Sequence, residues 1–329
     1  MTASSPPTLD LLCIGNAIVD VLATVDDALL ADIGSPRGGM TLIDAGTAST
    51  IEARVTPQEI MGGGSAANTA VTAARMGLSV GYLGKVADDA AGRHFADDLR
   101  ALGLRFPSNA LPSSAGIPTA RCIVLVTPDG QRTMHTYLGA CVEFGPDDVL
   151  EEVVASAGVL YMEGYLYDRP EAQAAFERAA RLAHQHGRKV ALSLSDSFCV
   201  NRHRAAFRAL VAGHVDILFA NEAEILALYQ IDDFAAAAAS IAAETELAAL
   251  TRGEHGCVVV AGGKMSAVLT EPAVVVDSTG AGDAFAAGFL AALARGATPR
   301  EAGALGNRAA GSVIGRLGAR PGADFALRV

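Results

Sequence analysis

The chain has 329 residues, of which 51% are hydrophobic and 19% charged, a composition typical of a globular protein with a large core and not of a disordered one. Its formal net charge of −11 argues against a nucleic-acid partner, because binding a phosphate backbone requires clustered Lys and Arg. The 5 cysteines are odd in number and form no CxxC pair, which indicates reduced thiols rather than disulfides or a zinc site.

The start of the chain and its apolar runs bear on location. The first ten residues, MTASSPPTLD, lack the basic segment and the apolar core of a signal peptide. No uninterrupted apolar run reaches the roughly 18 residues that a membrane-spanning helix needs. We therefore expect a cytoplasmic protein that has no membrane partner.

The N-terminal half combines strands and helices with turn-rich segments. Residues 9–25 predict a strand, a turn at Gly15–Asn16 and a second strand. Residues 35–60 are mixed and glycine-rich, which predicts short strands and loops. The other elements expected in this half are a helix, a strand, a second helix and a hairpin, at residues 66–76, 80–85, 90–102 and 117–138.

From residue 150 onward, predicted helices alternate with apolar runs. The helices lie near residues 170–186, 203–212, 222–229, 234–244 and 281–294. The apolar runs lie near residues 158–162, 189–194, 215–219, 247–251 and 256–261. This alternation predicts parallel strands joined by right-handed helical crossovers.

These elements predict a single α/β domain over residues 1–329, with a mostly parallel central sheet flanked by helices. The strand-rich inserts at about 16–60 and 105–140 predict a small β-sheet lid over the carboxyl edge of the central sheet. Open α/β sheets bind their ligands at that edge, so we expect the functional site there.

The most informative segment is PAVVVDSTGAGDAFAAGFLAALARG, at residues 272–296. A β-type run, Val274 to Val276, leads into a glycine turn and then directly into a helix, whose first amides lack internal partners and favour an anion. Asp283 lies at this end, where its charge would repel a phosphate. The same carboxylate suits the role of base for a hydroxyl that attacks a phosphoryl group held by the amides. The simpler interpretation is that Asp283 only stabilises the helix N-terminus.

The string DSTGAGD closely resembles the signature of the ribokinase-like (PfkB) carbohydrate kinases, and the resemblance extends over nearly the whole chain. It implies a ribokinase-like fold and ATP-dependent phosphoryl transfer with Mg²⁺. In the family, the aspartate that corresponds to Asp283 is the catalytic base. The amides that correspond to Ala281, Gly282 and Asp283 form the anion hole, and the turn that holds them includes Gly280. A P-loop is excluded, because no GxxxxGK[ST] string occurs in the chain.

Two further strings concern the acceptor sugar. In GGGSAAN, the resemblance implies that Gly63, Gly64 and Asn68 approach the sugar ring. In GNAIVDV, it implies that Asp20 binds two sugar hydroxyls. The residues alone also allow simpler roles, with Ser65 as a helix N-cap and Asp20 facing solvent from an edge strand.

The resemblance places the nucleotide beside motifs that follow later strands. It implies that Asn221 and Glu224 act on Mg²⁺ and the phosphates, Glu224 through a metal-bound water. A helix N-terminus with two acidic residues would explain the same pattern. The other residues that the resemblance assigns to ATP are Thr251, Gly253 and Asn307. The segment 312–319 resembles the family's end pattern, which shapes a monovalent-cation site, so K⁺ is a further candidate cofactor.

Within the family, the chain is most similar to the adenosine kinase branch, in the strings GNAIVDV, MEGYLYD, LSLSDSF and VDILFANEAE. The resemblance implies that mostly apolar and aromatic side chains surround a nucleoside base, namely Met134, Thr136, Leu138, Tyr165 or Leu166, and Phe198. Such a set suits a flat purine, which a bare sugar would not need. The branch often has an aromatic pair where this chain has Tyr165 and Leu166, which leaves a different nucleoside open.

The predicted reaction is ATP-dependent phosphorylation of a ribose 5′-hydroxyl, with adenosine as the leading acceptor and Arg132 of the lid reaching the transferred group on closure. A kinase of a free sugar is the first alternative. A sugar or nucleoside sensor without activity would not need Asp283, and a dinucleotide-dependent oxidoreductase would need the missing GxGxxG fingerprint. The resemblance allows a monomer or a homodimer formed through the lid.

Overall fold

A computed structural model describes residues 7–322 and 325–328. The strands of this part of the chain are β1 (Leu9–Ile14), β2 (Ile18–Thr24), β3 (Met40–Leu42), β4 (Glu59–Gly63), β5 (Val80–Leu83), β6 (Ala120–Val126), β7 (Arg132–Tyr137), β8 (Ala157–Glu163), β9 (Lys189–Ser193), β10 (Ile217–Asn221), β11 (Leu247–Thr251), β12 (Cys257–Ala261) and β13 (Lys264–Val268). The α-helices are α1 (Asp27–Ile33), α2 (Ala45–Glu52), α3 (Ser65–Arg75), α4 (Ala90–Ala101), α5 (Glu151–Ser156), α6 (Pro170–Gln185), α7 (Ser197–His214), α8 (Glu222–Tyr229), α9 (Phe234–Ala242), α10 (Ala281–Ala294) and α11 (Pro299–Ile314).

The larger of two sheets has 8 strands in the order β13-β12-β11-β10-β9-β8-β1-β5. The strands from β5 to β11 in this order are parallel, whereas β12 and β13 are antiparallel to their neighbours. The predicted α/β architecture with a mostly parallel central sheet is therefore confirmed. The prediction that the run at 256–261 continues the parallel pattern is wrong, because the connection from Thr251 to Cys257 is too short for a parallel crossover.

Both faces of the larger sheet are buried, and its side chains alternate between two core layers. On β10, Leu218 belongs to one layer and Phe219 to the other. Phe207 of α7 lies in the first layer, and Phe289 of α10 lies in the second. Because helices cover both faces, the carboxyl ends of the strands are the natural place for a polar site.

The smaller sheet has the strand order β3-β7-β6-β2-β4, and its strands come from the regions of the two predicted inserts. Helices α1 and α2 cover one face, where Ala23, Ile123 and Leu125 are part of a small separate core. Since side chains alternate along a strand, Asp20 and Cys122 belong to the opposite face. The role of this sheet as a lid stays a prediction.

Two of the local predictions are wrong. Residues 45–52 form helix α2 instead of a strand or loop, because Asp44 caps the helix by accepting a hydrogen bond from the Thr47 amide at 2.7 Å. The run Val274 to Val276 forms no strand, and its three side chains are exposed. An apolar run becomes a strand only where another strand can pair with it, and here the Val276 amide bonds to the Ile314 carbonyl oxygen of α11 instead.

Helix α7 begins earlier than the predicted helix at 203–212. Asp196 caps it by accepting a hydrogen bond from the Phe198 amide at 2.6 Å. His203 has non-helical backbone angles (φ −124°, ψ 27°), which interrupt the helix. The helical pattern in the sequence is therefore clear only after this interruption.

The cysteines and the apolar helices bear on the expectations from composition. All five cysteines are unpaired and buried. Over the described ranges 7–322 and 325–328, no single helix has both the length and the apolar composition of a membrane span. Helices α8 and α9 meet these two criteria only when they are taken together, and they are bent by 71° relative to each other.

Candidate active site

The DSTGAGD turn leads directly into α10, as the sequence predicts. Gly280 has φ +77°, and a Cβ on it would collide with the Ala319 carbonyl oxygen, so the position requires glycine. A Cβ on Gly282 would meet open space, which leaves room in front of the helix. The Ala281 amide donates to the Ser278 carbonyl oxygen at 3.2 Å, so one of the predicted anion-hole groups already has a partner.

Asp283 lies in the first turn of α10, and two side chains of α3 bind its carboxyl group. Ser65 Oγ donates to Oδ1 at 2.6 Å, and Asn68 Nδ2 donates to Oδ2 at 3.1 Å. Burial raises the pKa of Asp283 to about 6, and the two hydrogen bonds oppose this shift because they favour the charged form. A partly exposed carboxylate with this pKa can accept a proton from a bound hydroxyl.

The glycines of GGGSAAN let the start of α3 pack closely against the turn between β1 and β2. Gly64 has φ +95°, and a Cβ on it would collide with the Asn16 carbonyl oxygen. A Cβ on Gly63 would collide with the Asp20 carboxyl group. The structure therefore brings together the predicted acceptor residues Asp20, Gly63 and Gly64.

Asp20 is a half-buried carboxylate near two arginines. Burial raises its pKa to about 6, and the charges of Arg320 and Arg132 oppose the increase. At pH 7 the group is mostly ionised, so both of its oxygens can accept hydrogen bonds from neighbouring hydroxyls.

Some of the residues predicted around a nucleoside base lie on the smaller sheet. Met134 and Thr136 are on β7, and Thr136 pairs with Cys122, which in turn pairs with Asp20. Leu138 follows the end of β7 directly. The predicted base residues on β7 and the predicted sugar residue Asp20 on β2 therefore lie near each other on the smaller sheet, separated by β6.

The remaining base residues come from loops after strands of the larger sheet. Tyr165 is 40% exposed, and burial of its hydroxyl together with acidic neighbours that include Glu224 and Asp283 raises its pKa. Leu166, the alternative to Tyr165, is buried in a core layer. Phe198 is 73% exposed at the start of α7, so most of its surface faces solvent.

Four of the five residues predicted to bind ATP lie at and beyond the carboxyl ends of β10 and β11. Asn221 and Thr251 are direct neighbours across these strands, and Gly253 follows with φ +55°. Asn307 is buried on α11, where its Nδ2 donates to the carbonyl oxygens of Val268 at 3.0 Å and of the next residue at 3.2 Å. Its amide nitrogen thus fixes the end of β13.

Glu224 and Asn221 form a capping box at the start of α8. Asn221 donates to Glu224 through its amide at 3.0 Å and through Nδ2 at 2.6 Å, and the Glu224 amide donates to Asn221 Oδ1 at 2.9 Å. Burial raises the pKa of Glu224 to about 7. The NxxE spacing is therefore explained locally by helix capping, whatever else Glu224 does.

Glu224 is also the residue predicted to hold Mg²⁺ through a water. Among residues 7–322 and 325–328, no group of three or more His, Cys, Asp or Glu side chains could hold a metal ion. Mg²⁺ usually keeps several waters and binds through one or two carboxylates together with substrate phosphates. A single carboxylate at a strand end fits a Mg²⁺ that arrives with a nucleotide.

Sequence reasoning did not assign a role to Glu163, at the end of β8. Its carboxylate accepts hydrogen bonds from the Asn16 amide at 3.2 Å, from Asn16 Nδ2 at 2.7 Å and from the Ala66 amide at 2.6 Å. Burial raises its pKa to about 7. Glu163 thus connects the β1–β2 turn to the start of α3. An acidic residue at the end of the apolar run VLYME is the signal that could have identified it.

Of three further charged groups near the site, Arg132 was predicted from the sequence, whereas Asp277 and Arg320 were given no role. Arg132 of β7 forms an ion pair with Asp277 at 3.0 Å, which joins the smaller sheet to the turn before α10. Arg320 donates to Asn68 Oδ1 through Nε at 3.1 Å. No local pattern marks Arg320, because its partners are distant in the chain.

A family model described as pfkB family carbohydrate kinase matches residues 38–325. Among solved structures, an adenosine kinase from Sinorhizobium meliloti is 49% identical with a TM-score of 0.86, and covers 95% of this chain and 96% of its own. A probable sugar kinase from Rhizobium etli is 46% identical with a TM-score of 0.87, and covers 96% of each chain.

The curated relatives include an adenosine kinase from Saccharomyces cerevisiae. The two are 28% identical over an alignment of 314 residues, and the alignment covers 88% of this chain and 90% of the relative. These matches extend over nearly the full length of both proteins. They confirm the resemblance in fold and in general chemistry that the motifs predict.

Proposed function

This chain belongs to the pfkB family of carbohydrate kinases, and we propose that it transfers the terminal phosphoryl group of ATP to the 5′-hydroxyl of a nucleoside, with adenosine as the leading acceptor. The observation that carries the proposal is the Asp283 carboxylate at the N-terminus of α10, with hydrogen bonds from Ser65 and Asn68. A base beside a helix N-terminus can act on a hydroxyl while the helix amides receive the phosphoryl group.

In the proposed reaction, Asp283 accepts the proton of the attacking hydroxyl. Its pKa of about 6 keeps it mostly ionised at pH 7, yet close enough to neutrality to take up a proton. Ser65 and Asn68 each use one acceptor position on the carboxylate. The remaining positions are available to the hydroxyl.

Asp20, Gly64 and Asn68 orient the acceptor sugar in this proposal. Asp20 accepts hydrogen bonds from two sugar hydroxyls, and the absence of a side chain at Gly64 allows the ring to approach the backbone. Asn68 has two amide hydrogens, of which one is donated to Asp283. The second can be donated to a sugar oxygen, which would align the acceptor with the base.

The phosphate side of the proposed site is formed by the amides of residues 280–283 and by charged groups around them. Mg²⁺ bound with ATP would neutralise charge on the phosphates, and Glu224 is the carboxylate that would hold it through water. Thr251, Gly253 and Asn307 line the nucleotide in the proposal. A K⁺ ion at residues 312–319 stays a prediction, which replacement of K⁺ by Na⁺ in the assay would test.

We further propose that the smaller sheet is a lid. Arg132 of β7 contacts Asp277 at 3.0 Å, and both side chains are largely buried. Closure of the lid over bound ligands would bring Arg132 to the transferred group and exclude water. Met134, Thr136 and Leu138 would then close on the base from the lid, and Tyr165 and Phe198 from the opposite side.

A kinase of a free sugar is the second candidate. Phe198 is 73% exposed, and a free sugar has no base that this ring would need to cover. The similar Rhizobium etli protein is described as a probable sugar kinase. Adenosine is preferred here because of the apolar side chains of Met134 on β7 and Leu138 just beyond it, and because of the 49% identity to the Sinorhizobium meliloti adenosine kinase.

The test is an ADP-release assay of the full chain with ATP and Mg²⁺ against a panel of nucleosides and free sugars. We expect the highest kcat/KM for adenosine, and the Asp283→Asn variant serves as the control for background ATP hydrolysis. If a free sugar gives a higher kcat/KM than adenosine, the protein is a sugar kinase, which is the second candidate. The absence of acceptor-dependent ADP release across the panel would contradict both.

A further inference from the structure

We infer that Arg320 is a positioning residue for Asp283, which it reaches through the side-chain amide of Asn68. Arg320 Nη1 donates to Asp98 Oδ2 at 2.6 Å, and Nε donates to Asn68 Oδ1 at 3.1 Å. Asn68 Nδ2 then donates to Asp283 Oδ2 at 3.1 Å. The hydrogen bonds run from α4 through the C-terminal segment and α3 to the start of α10. The inference deepens the proposed function and rests on it.

The side-chain amide of Asn68 has two different ends, an oxygen that accepts hydrogen bonds and an NH₂ group that donates them. A guanidinium group can only donate hydrogen bonds, and an ionised carboxylate can only accept them. Asn68 lies between one of each, so only one orientation satisfies both contacts. With the amide reversed, its oxygen would face the Asp283 carboxylate and its NH₂ group would face the guanidinium. Arg320 therefore keeps the donating end of Asn68 on Asp283.

The surroundings of Arg320 indicate more than a surface ion pair. Its side chain is only 12% exposed, and removing a guanidinium from water is costly unless its partners compensate. Within residues 7–322 and 325–328, the Nη2 atom of Arg320 has no hydrogen-bond partner. The guanidinium group is therefore oriented toward Asn68 and Asp98, although this leaves one of its nitrogens without a hydrogen bond. The Arg320 charge also opposes the rise in the pKa of Asp20.

Several other groups act on Asp283 and must be separated from Arg320 in a test. Ser65 of α3 donates to the other carboxylate oxygen. On β8, Tyr161 and Glu163 are coupled electrostatically to Asp283, as is Tyr165 just beyond this strand. None of these groups belongs to the C-terminal segment. A change confined to Arg320 therefore leaves them in place.

Two substitutions separate the hydrogen bond from the charge. In Arg320→Gln, the amide nitrogen occupies the position of Nε, so a donor to Asn68 is kept while the positive charge is lost. In Arg320→Lys, a methylene occupies the Nε position, so the charge is kept while this donor is lost. If Arg320 acts by orienting the amide, Gln resembles the native residue and Lys does not. If it acts through charge alone, the order is reversed.

The experiment is a ¹³C NMR titration of the Asp283 carboxyl in the ligand-free full chain, with the signal assigned by its loss in Asp283→Asn. In Arg320→Lys, Asn68 is no longer held with its NH₂ group toward Asp283, so the hydrogen bond from Asn68 to the charged form of Asp283 is lost. We therefore expect the pKa of Asp283 to rise by about one pH unit. In Arg320→Gln, we expect it to stay near the native value. Arg100→Met is the control, since this exposed residue of α4 pairs with Asp97, next to Asp98.

Kinetics give the second readout. In Arg320→Lys, the low-pH decline of kcat is expected to move to higher pH, with a loss of about fivefold at pH 6 and an unchanged KM for ATP. A native-like Asp283 pKa in a folded Arg320→Lys, or a raised one in Arg320→Gln alone, would overturn the inference. The titration needs no substrate, so it stays informative even if the acceptor screen contradicts the proposed function.

Discussion

Ser65 Oγ donates a 2.6 Å hydrogen bond to Asp283 Oδ1, although 218 positions separate the two residues in the chain. The bond joins the start of α3 to the start of α10, so the N-termini of two helices meet at one carboxylate. The positive ends of both helix dipoles favour a negative charge there. This arrangement offsets part of the cost of burying Asp283 and keeps it available as a base at neutral pH.

The first prediction concerns this hydrogen bond. Replacing Ser65 by Ala removes a donor to the charged form of Asp283, so the pKa of Asp283 is expected to rise above about 6. We expect the low-pH decline of kcat to move to higher pH and kcat at pH 6 to fall about tenfold. Steady-state kinetics from pH 5 to 9 measure both effects. Ser240→Ala is a matched control, because this hydroxyl donates to the Ala236 carbonyl oxygen at 2.9 Å within α9, away from the proposed site; an identical profile for the two variants would contradict the role of Ser65.

The second prediction is that Asp283→Asn lowers kcat at least about a hundredfold while binding of the acceptor stays within about twofold. The amide keeps the size of the side chain but cannot accept the proton of the hydroxyl. Calorimetric titration with the acceptor and initial-rate kinetics with ATP separate binding from chemistry. A variant with native turnover would show that Asp283 only stabilises the start of α10.

The third prediction follows from the raised pKa values. Burial raises the pKa of Asp283 to about 6, so the base is protonated below that pH and ionised above it. We expect kcat to fall about tenfold for each pH unit below 6, because only the ionised carboxylate can accept a proton. Burial also raises the pKa of Asp20 to about 6. Protonation of Asp20 below this pH should lower kcat/KM for the acceptor further, without an effect on kcat/KM for ATP. A kcat that is constant between pH 5 and 8 would contradict the assignment of the base.

The fold and the centre of the site could be predicted where the signal is local. The glycine turns, the helices that follow them and the alternation of helices and strands are encoded in short segments. This is why the positions of Asp283 and of the α3 N-terminus are recovered from DSTGAGD and GGGSAAN. The capping box of Asn221 and Glu224 is equally local.

The parts that were not predicted depend on contacts between distant segments. Arg320 contacts Asn68 across 252 positions, and Glu163 contacts Asn16 across 147, so no spacing in the sequence marks either pair. Val274 to Val276 looks like a strand by composition, but the Val276 amide bonds to the Ile314 carbonyl oxygen of α11 instead of to a strand. Pairing partners and buried ion networks belong to the folded chain as a whole.

The fourth prediction is that Asp20→Ala weakens acceptor affinity at least about tenfold and ATP affinity less than about twofold, since a charged acceptor of hydrogen bonds is lost on the sugar side only. The carboxyl packs against Gly63, so its removal leaves a small space and the fold is expected to persist. Calorimetric titration with each ligand provides the comparison. Equal losses for ATP and acceptor would place Asp20 outside the acceptor site.

The fifth prediction distinguishes a nucleoside from a free sugar. Phe198 is 73% exposed, so Phe198→Ala should change the melting temperature by less than about 2 °C, as expected for a surface residue. If the ring covers a nucleoside base on closure, the KM for adenosine should rise about tenfold because the aromatic contact is lost. The kcat/KM for ribose, which has no base, should not change. Met265→Ala, at another exposed apolar side chain, controls for general surface effects. An unchanged KM for adenosine would remove Phe198 from the acceptor site and favour the sugar kinase.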